Sequence, residues 1–118
     1  MTGWNKSTLM QRKIKITDLA ERDLEVCGDY IAYQLKNPSA AINTVKGIRK
    51  QINDLLVFPE RNALDDDLVL AGLGVRIEYY RNYKIYYIVD EDIIYVIRIL
   101  HMRVDSRTWL YKTLGIED

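Results

Sequence analysis

The 118-residue chain has one cysteine, two prolines, one phenylalanine and one histidine, and its 17 basic residues are matched by 17 acidic ones. Each shortage excludes something. Lone Cys27 closes no internal disulfide and has no neighbour at zinc-ligand spacing, which agrees with a reducing compartment. Zero formal charge provides no global field to draw the chain onto nucleic acid. No apolar run approaches the roughly 20 residues of a membrane span, and the polar start lacks a signal peptide's apolar region, so a cytoplasmic location is expected. Gly72-x-Gly74 has no third glycine and no following Lys-Ser/Thr, and Asp65-Asp66-Asp67 has no second group of oxygen ligands. Two glycines easing the start of a strand and a solvated acidic loop are the expected readings, with neither metal nor cofactor.

What remains is an ordinary globular composition, 48% hydrophobic and 29% charged, long enough for a single domain with one modest core. Residues 1–9 show no periodicity and are expected to be a disordered extension of a domain over residues 10–118. Charge is uneven despite the balance. Residues 5–15 hold Lys6, Arg12, Lys13 and Lys15 without an acid, residues 60–67 hold Glu60, Asp65, Asp66 and Asp67 against Arg61, and residues 93–112 hold Arg98, Arg103, Arg107 and Lys112 against Asp105.

The organising stretch is Gly74 to Asp105. Three runs rich in Tyr, Ile and Val are separated by Arg81-Asn82 and Asp90-Glu91-Asp92, the pattern of two consecutive hairpins and hence a three-stranded antiparallel meander. Alternation puts Val75, Ile77 and Tyr79 opposite Arg76, Glu78 and Tyr80, and Tyr83, Ile85, Tyr87 and Val89 opposite Lys84, Tyr86 and Ile88. The third run is apolar on both faces, with Ile94, Val96, Arg98 and Leu100 against Ile93, Tyr95, Ile97, Ile99 and His101, so it is expected at the sheet centre.

Before the meander, residues 11–16 alternate like a short strand that pairs with an edge of the sheet. Asp18 with Glu21 resembles a capping box. Ala20, Leu24, Cys27, Ile31 and Leu35 then form one helical stripe, and after Asn37-Pro38, which suits a helix's first turn, Ala41, Val45, Ile48, Ile52 and Leu55 form a second. Phe58-Pro59 stops that helix, and a loop runs to about Gly74. Asp105 begins a last short helix over Ser106–Leu114, with Gly115 as its stop. The fold class is α+β, ordered β-α-α-β-β-β(-α), with a helical hairpin packed on one face of a small, mostly antiparallel, curved sheet.

With this order, the elements DLEVCGDYIAYQLKNPSAA, VFPERN, GVR, NYKIYYIVD and VIRILHMRVD resemble the toxins of the RelE/ParE superfamily of bacterial type II toxin-antitoxin modules. The resemblance covers about Ile14 to Leu110. The Leu100-His101-x-Arg103-x-Asp105 run is closer to the ParE branch. Asn62 departs from the pattern, standing where many relatives have glycine, and its tolerance of positive φ would let the turn survive.

The resemblance implies two targets. A ParE-like toxin acts on DNA gyrase through contact, without a hydrolytic site, and the neutral charge favours that reading. A RelE-like toxin is a metal-independent messenger-RNA endonuclease working on the ribosome. Cleavage by a 2'-hydroxyl needs a base, an acid and cations around the phosphate, roles for which His101, Arg76 and Arg98 are the catalytic candidates. Arg76, Tyr80, Arg98, His101, Arg103 and Arg107 are the candidates for contacting a target. A third reading is a non-toxic member that keeps antitoxin binding. Beside these stand plainer roles: a buried hydrogen-bonding His101, and an Arg103–Asp105 ion pair with Asp105 capping the last helix. All three functional readings imply one partner, a cognate antitoxin that adds a strand to an open sheet edge or lies in an apolar groove.

Overall fold

The computed structural model describes residues 12–117, so the expected extension at residues 1–9 lies outside the described residues. Strand β1 (Lys13–Ile16) is followed by helix α1 (Asp18–Asp29), a π-helical turn (Tyr30–Gln34) and helix α2 (Pro38–Asp54). A 3₁₀ turn (Pro59–Arg61) and a short helix α3 (Leu68–Gly72) lead into β2 (Val75–Tyr80), β3 (Tyr83–Asp90) and β4 (Ile93–His101), and helix α4 (Ser106–Leu114) closes the chain. The sheet order is β1-β4-β3-β2, antiparallel throughout the meander and parallel only between β1 and β4. The expected α+β architecture is thus observed, with β4 central as its two-faced apolar pattern required.

Helix α1 and helix α2 lie on one sheet face. Ala20, Leu24, Cys27 and Ile31 meet Ala41, Ile48, Ile52 and Leu55 over Ile85, Tyr87, Ile94 and Val96. Burying a side chain such as Ile48 completely contributes about 1.5–3 kcal/mol. Gly47 lets this layer close, because a Cβ there would come within 1.9 Å of the Tyr80 hydroxyl. The second face is covered as well. Leu70 of α3 and Leu110 and Tyr111 of α4 pack on Val75, Tyr86, Ile97 and Leu100.

Several local expectations are corrected. Thr17, not Asp18, caps α1 by accepting the Ala20 N–H, while Glu21 leaves the helix end to pair with Arg49 at 2.8 Å. Leu35 leaves the α1 stripe and is 56% exposed, because the π-helical turn advances the chain less per residue and shifts its phase. The acidic loop contains α3. Asp67 caps it through the Val69 and Leu70 N–H groups, and Asp65 accepts the Asp67 N–H. Asn62 has φ −92°, so positive φ is not its role. Its amide instead donates to Glu78 Oε1 and the Tyr87 hydroxyl at 3.0 and 3.1 Å.

The regular alternation expected for the last strand also fails at one point. Tyr87 pairs with Val96 but Tyr86 with Arg98, which leaves Ile97 as an extra residue, a β-bulge. Beyond it the faces exchange. Ile99 joins the helix-side core with Ile94 and Val96, whereas Arg98 and Leu100 turn away from Val96.

Candidate functional site

β1 pairs only with Ile93–Val96, so the rest of β4, Ile97–His101, runs past it along the sheet margin. There an open groove of about 1180 Å³ lies between α1, the end of β4 and the start of α4, lined among others by Leu19, Val26, Tyr30, Leu35, Met102 and Trp109. All six are at least 45% exposed, an uncommon concentration of large apolar side chains on one surface. Cys27 and Tyr83 form part of the floor. Burial pushes the Cys27 thiol up, and the Tyr83 hydroxyl likewise rises through burial and its hydrogen bond with Cys27, so both stay neutral at physiological pH.

At the back of the groove Arg98 forms a bidentate pair with Asp23, at 2.8 Å from Nε and 2.7 Å from Nη2, and also donates to Thr113. Asp23 accepts the Ile99 N–H as well. Arg98 is only 8% exposed, so an internal partner already satisfies the fork with which it would hold a phosphate. His101 sits edge-on to Tyr83 with ring centroids 5.3 Å apart, and its Nδ1 accepts the Arg103 N–H. Arg103 and Arg22 are exposed on the rim. Among the described residues Arg103 makes no ion pair with Asp105, which caps α4 through Thr108 as expected.

The other candidates lie elsewhere. Arg76, on β2 in register with Tyr87, donates to the carbonyl oxygens of Asn62 and Glu60 and holds the 59–64 segment. His101 lies in the row of Tyr83, four residues along and two strands over, roughly 14 Å along the strand direction at about 3.4 Å per residue. Tyr80 packs under Gly47 with the Arg81 guanidinium over its ring at 5.2 Å. Arg107 pairs with Asp67 at 2.9 Å and lies over Tyr111 at the start of α4. The six predicted residues thus split three ways: His101, Arg98 and Arg103 around the groove, Arg76 and Tyr80 on the helix side of β2, and Arg107 at α4. The three catalytic candidates do not converge on one point.

The sequence reading missed Leu19, Arg22, Asp23, Val26, Tyr30 and Trp109. A signal existed for three of them. Leu19, Val26 and Tyr30 recur at steps of seven and four, a second apolar stripe on α1 that the core does not use.

A family model described as the ParE toxin of the type II toxin-antitoxin system parDE matches residues 14–105. The chromosomal ParDE toxin-antitoxin system from P. aeruginosa contains a chain of similar structure, with TM-score 0.64 and 24% identity, covering 78% of this chain and 97% of that one. The RelBE2 toxin-antitoxin complex from Mycobacterium tuberculosis contains another, with TM-score 0.56 and 18% identity, covering 76% and 96% respectively. No curated protein sequence matches.

Proposed function

The chain belongs to the ParE toxin family of type II toxin-antitoxin systems, and from that premise we propose that it inhibits growth by binding DNA gyrase, without hydrolytic chemistry of its own, and is neutralised by a cognate antitoxin. The observation that carries the proposal is that Arg76 lies away from Arg98 and His101 and that Arg98 is already paired. Transesterification needs its acid, base and phosphate-binding cations around one phosphate. Here Asp23 neutralises Arg98, Arg76 is spent on loop carbonyls, and His101, which lines the same groove as Arg98, lies four residues along and two strands over from Arg76.

The second sheet face supports the same reading. Much of that face is filled by Leu70, Leu110 and Tyr111 packed on Val75, Tyr86, Ile97 and Leu100. Such apolar packing provides no cationic bed for a nucleic-acid strand. An antitoxin partner is supported by the family and by the apolar groove, where six large apolar side chains lie exposed on one surface.

Two assays on the purified protein test this: gyrase-dependent DNA cleavage, and messenger-RNA cleavage on ribosomes. Accumulation of cleaved DNA only when gyrase is present is the expected result. Cleavage of ribosome-bound messenger RNA that His101→Ala abolishes would replace the proposal with the endonuclease reading. Inactivity in both assays with antitoxin binding intact would identify a non-toxic member.

A further inference from the structure

We propose that the cavity between the acidic loop, the β2–β3 hairpin and the start of α4 receives an arginine side chain of a protein partner. The cavity measures about 330 Å³ and lies on the sheet face opposite α1 and α2. It shares only Val104 with the lining of the β4 groove, so it is a separate site and stands whichever target the toxin binds. Its unspent groups are mostly acceptors. Ser106, the first residue of α4, is 9% exposed, and no described residue bonds its buried hydroxyl. Such a hydroxyl costs stability in the free protein, which an arriving donor would recover. Asp65 accepts the Asp67 N–H with one oxygen, and among the described residues neither it nor exposed Asp66 makes an ion pair.

The donors that would make this an anion site are already spent. Asp105 takes the Arg107 and Thr108 N–H groups at the start of α4, and Asp67 takes the Arg107 guanidinium at 2.9 Å. Lys84 remains, its ammonium 5.7 Å from the centre of the Tyr86 ring. One cation against Asp65 and Asp66 leaves the lining negative. Among the described residues no group of three side chains could hold a metal ion. Negative charge, a hydroxyl acceptor and an exposed ring together describe a guanidinium site. The planar fork gives two parallel N–H bonds to a carboxylate, and its face stacks on an aromatic ring. Tyr79, exposed and in register with Lys84, supplies that ring. A lysine ammonium matches the charge but neither the fork nor the stack.

Nuclear magnetic resonance titration of the isotope-labelled full chain with acetyl-arginine amide, butylammonium and inorganic phosphate tests this. The arginine probe should shift the amide resonances of Asp65, Asp66, Tyr79 and Ser106 saturably, with a dissociation constant of about 1–10 mM for so small a fragment. Butylammonium should bind at least threefold more weakly, and phosphate should leave these resonances in place. Asp66→Asn and Ser106→Ala should each weaken the arginine probe at least threefold, with the Ser106→Ala melt unchanged or raised because a stranded hydroxyl is gone. Lys84→Met should tighten it at least twofold by removing the competing cation, the opposite of an anion site's response. No saturable shift, tighter binding of phosphate than of the arginine probe, full affinity after Asp66→Asn or Ser106→Ala, or weaker binding after Lys84→Met overturns the inference and leaves the toxin reading untouched.

Discussion

Two arginine–carboxylate clusters sit at opposite margins of the sheet, and they differ in what they leave unfilled. On the β2 side, buried Glu78 accepts from Arg61, from Gln51 at 3.0 Å and from Asn62 at 3.0 Å, while the Tyr87 hydroxyl donates to the Pro59 carbonyl. That cluster is closed: it clips the 59–62 segment over the meander, and its polar groups bond one another. On the β4 side Asp23 and Arg98 are equally well paired, but the surface around them remains apolar and its outer rim keeps Arg22 and Arg103 facing solvent. A satisfied cluster under a covered surface is a structural part. A satisfied cluster under an exposed apolar groove is the floor of the proposed binding surface.

Substitutions separate the two. The largest effect is expected for Glu78→Ala, which strands the groups gathered on that carboxylate and should cost about 3 kcal/mol of stability, read by chemical denaturation. A loss below about 1 kcal/mol would mean the clip is not a stabilising unit. Gly47→Ala comes next. Its added methyl drives Tyr80 out of the helix–sheet contact, at a cost of about 1–3 kcal/mol in a thermal melt and with no effect on antitoxin affinity. A stable Gly47→Ala protein would show that Tyr80 swings aside freely.

Acid titration should produce a smaller effect. The Leu70 N–H, followed by the Arg107 and Tyr111 side chains, holds the Asp67 carboxyl below its ordinary 3.8, and the Thr108 hydroxyl does the same for Asp105. These depressed values contribute stability that is full above the ordinary value and is lost as pH falls through the folded-state values. Asp67→Asn should therefore flatten part of the acid limb of the stability curve below about pH 4. An unchanged limb would exclude the Asp67 cap from acid unfolding.

Most of the fold was legible because its elements announce themselves locally. The stripes at Ala20–Ile31 and Ala41–Leu55, the Asn37-Pro38 start and the two hairpin breaks are all short-range signals. Arg81 and Glu91 even adopt the positive φ that such tight turns require. The exceptions were set by tertiary contact. The Ile97 bulge depends on the pairing of β4 with β3, and the π-helical turn changes the exposure of Leu35 without leaving a composition cue. The site was less legible for the same reason. Arg98 reads as a free cation in the sequence because Asp23, its partner, lies 75 residues away and meets it only after β4 packs on α1. Arg76 reads in the sequence as a phosphate ligand at a position the family resemblance supports, but its contacts with Glu60 and Asn62 require the loop to fold back over β2.

The most direct test of the contrast between the closed clip and the open groove is antitoxin affinity after Val26→Asp, measured beside the thermal melt of the free toxin. Val26 is 61% exposed on the groove wall, so a carboxylate there disturbs no core. The expected result is a melt within about 2 °C of the parent, since exposed substitutions rarely move stability by more than about 0.5 kcal/mol, together with affinity weakened by at least tenfold. Unchanged affinity in a normally folded variant would contradict the assignment of this groove as the surface that meets the partner.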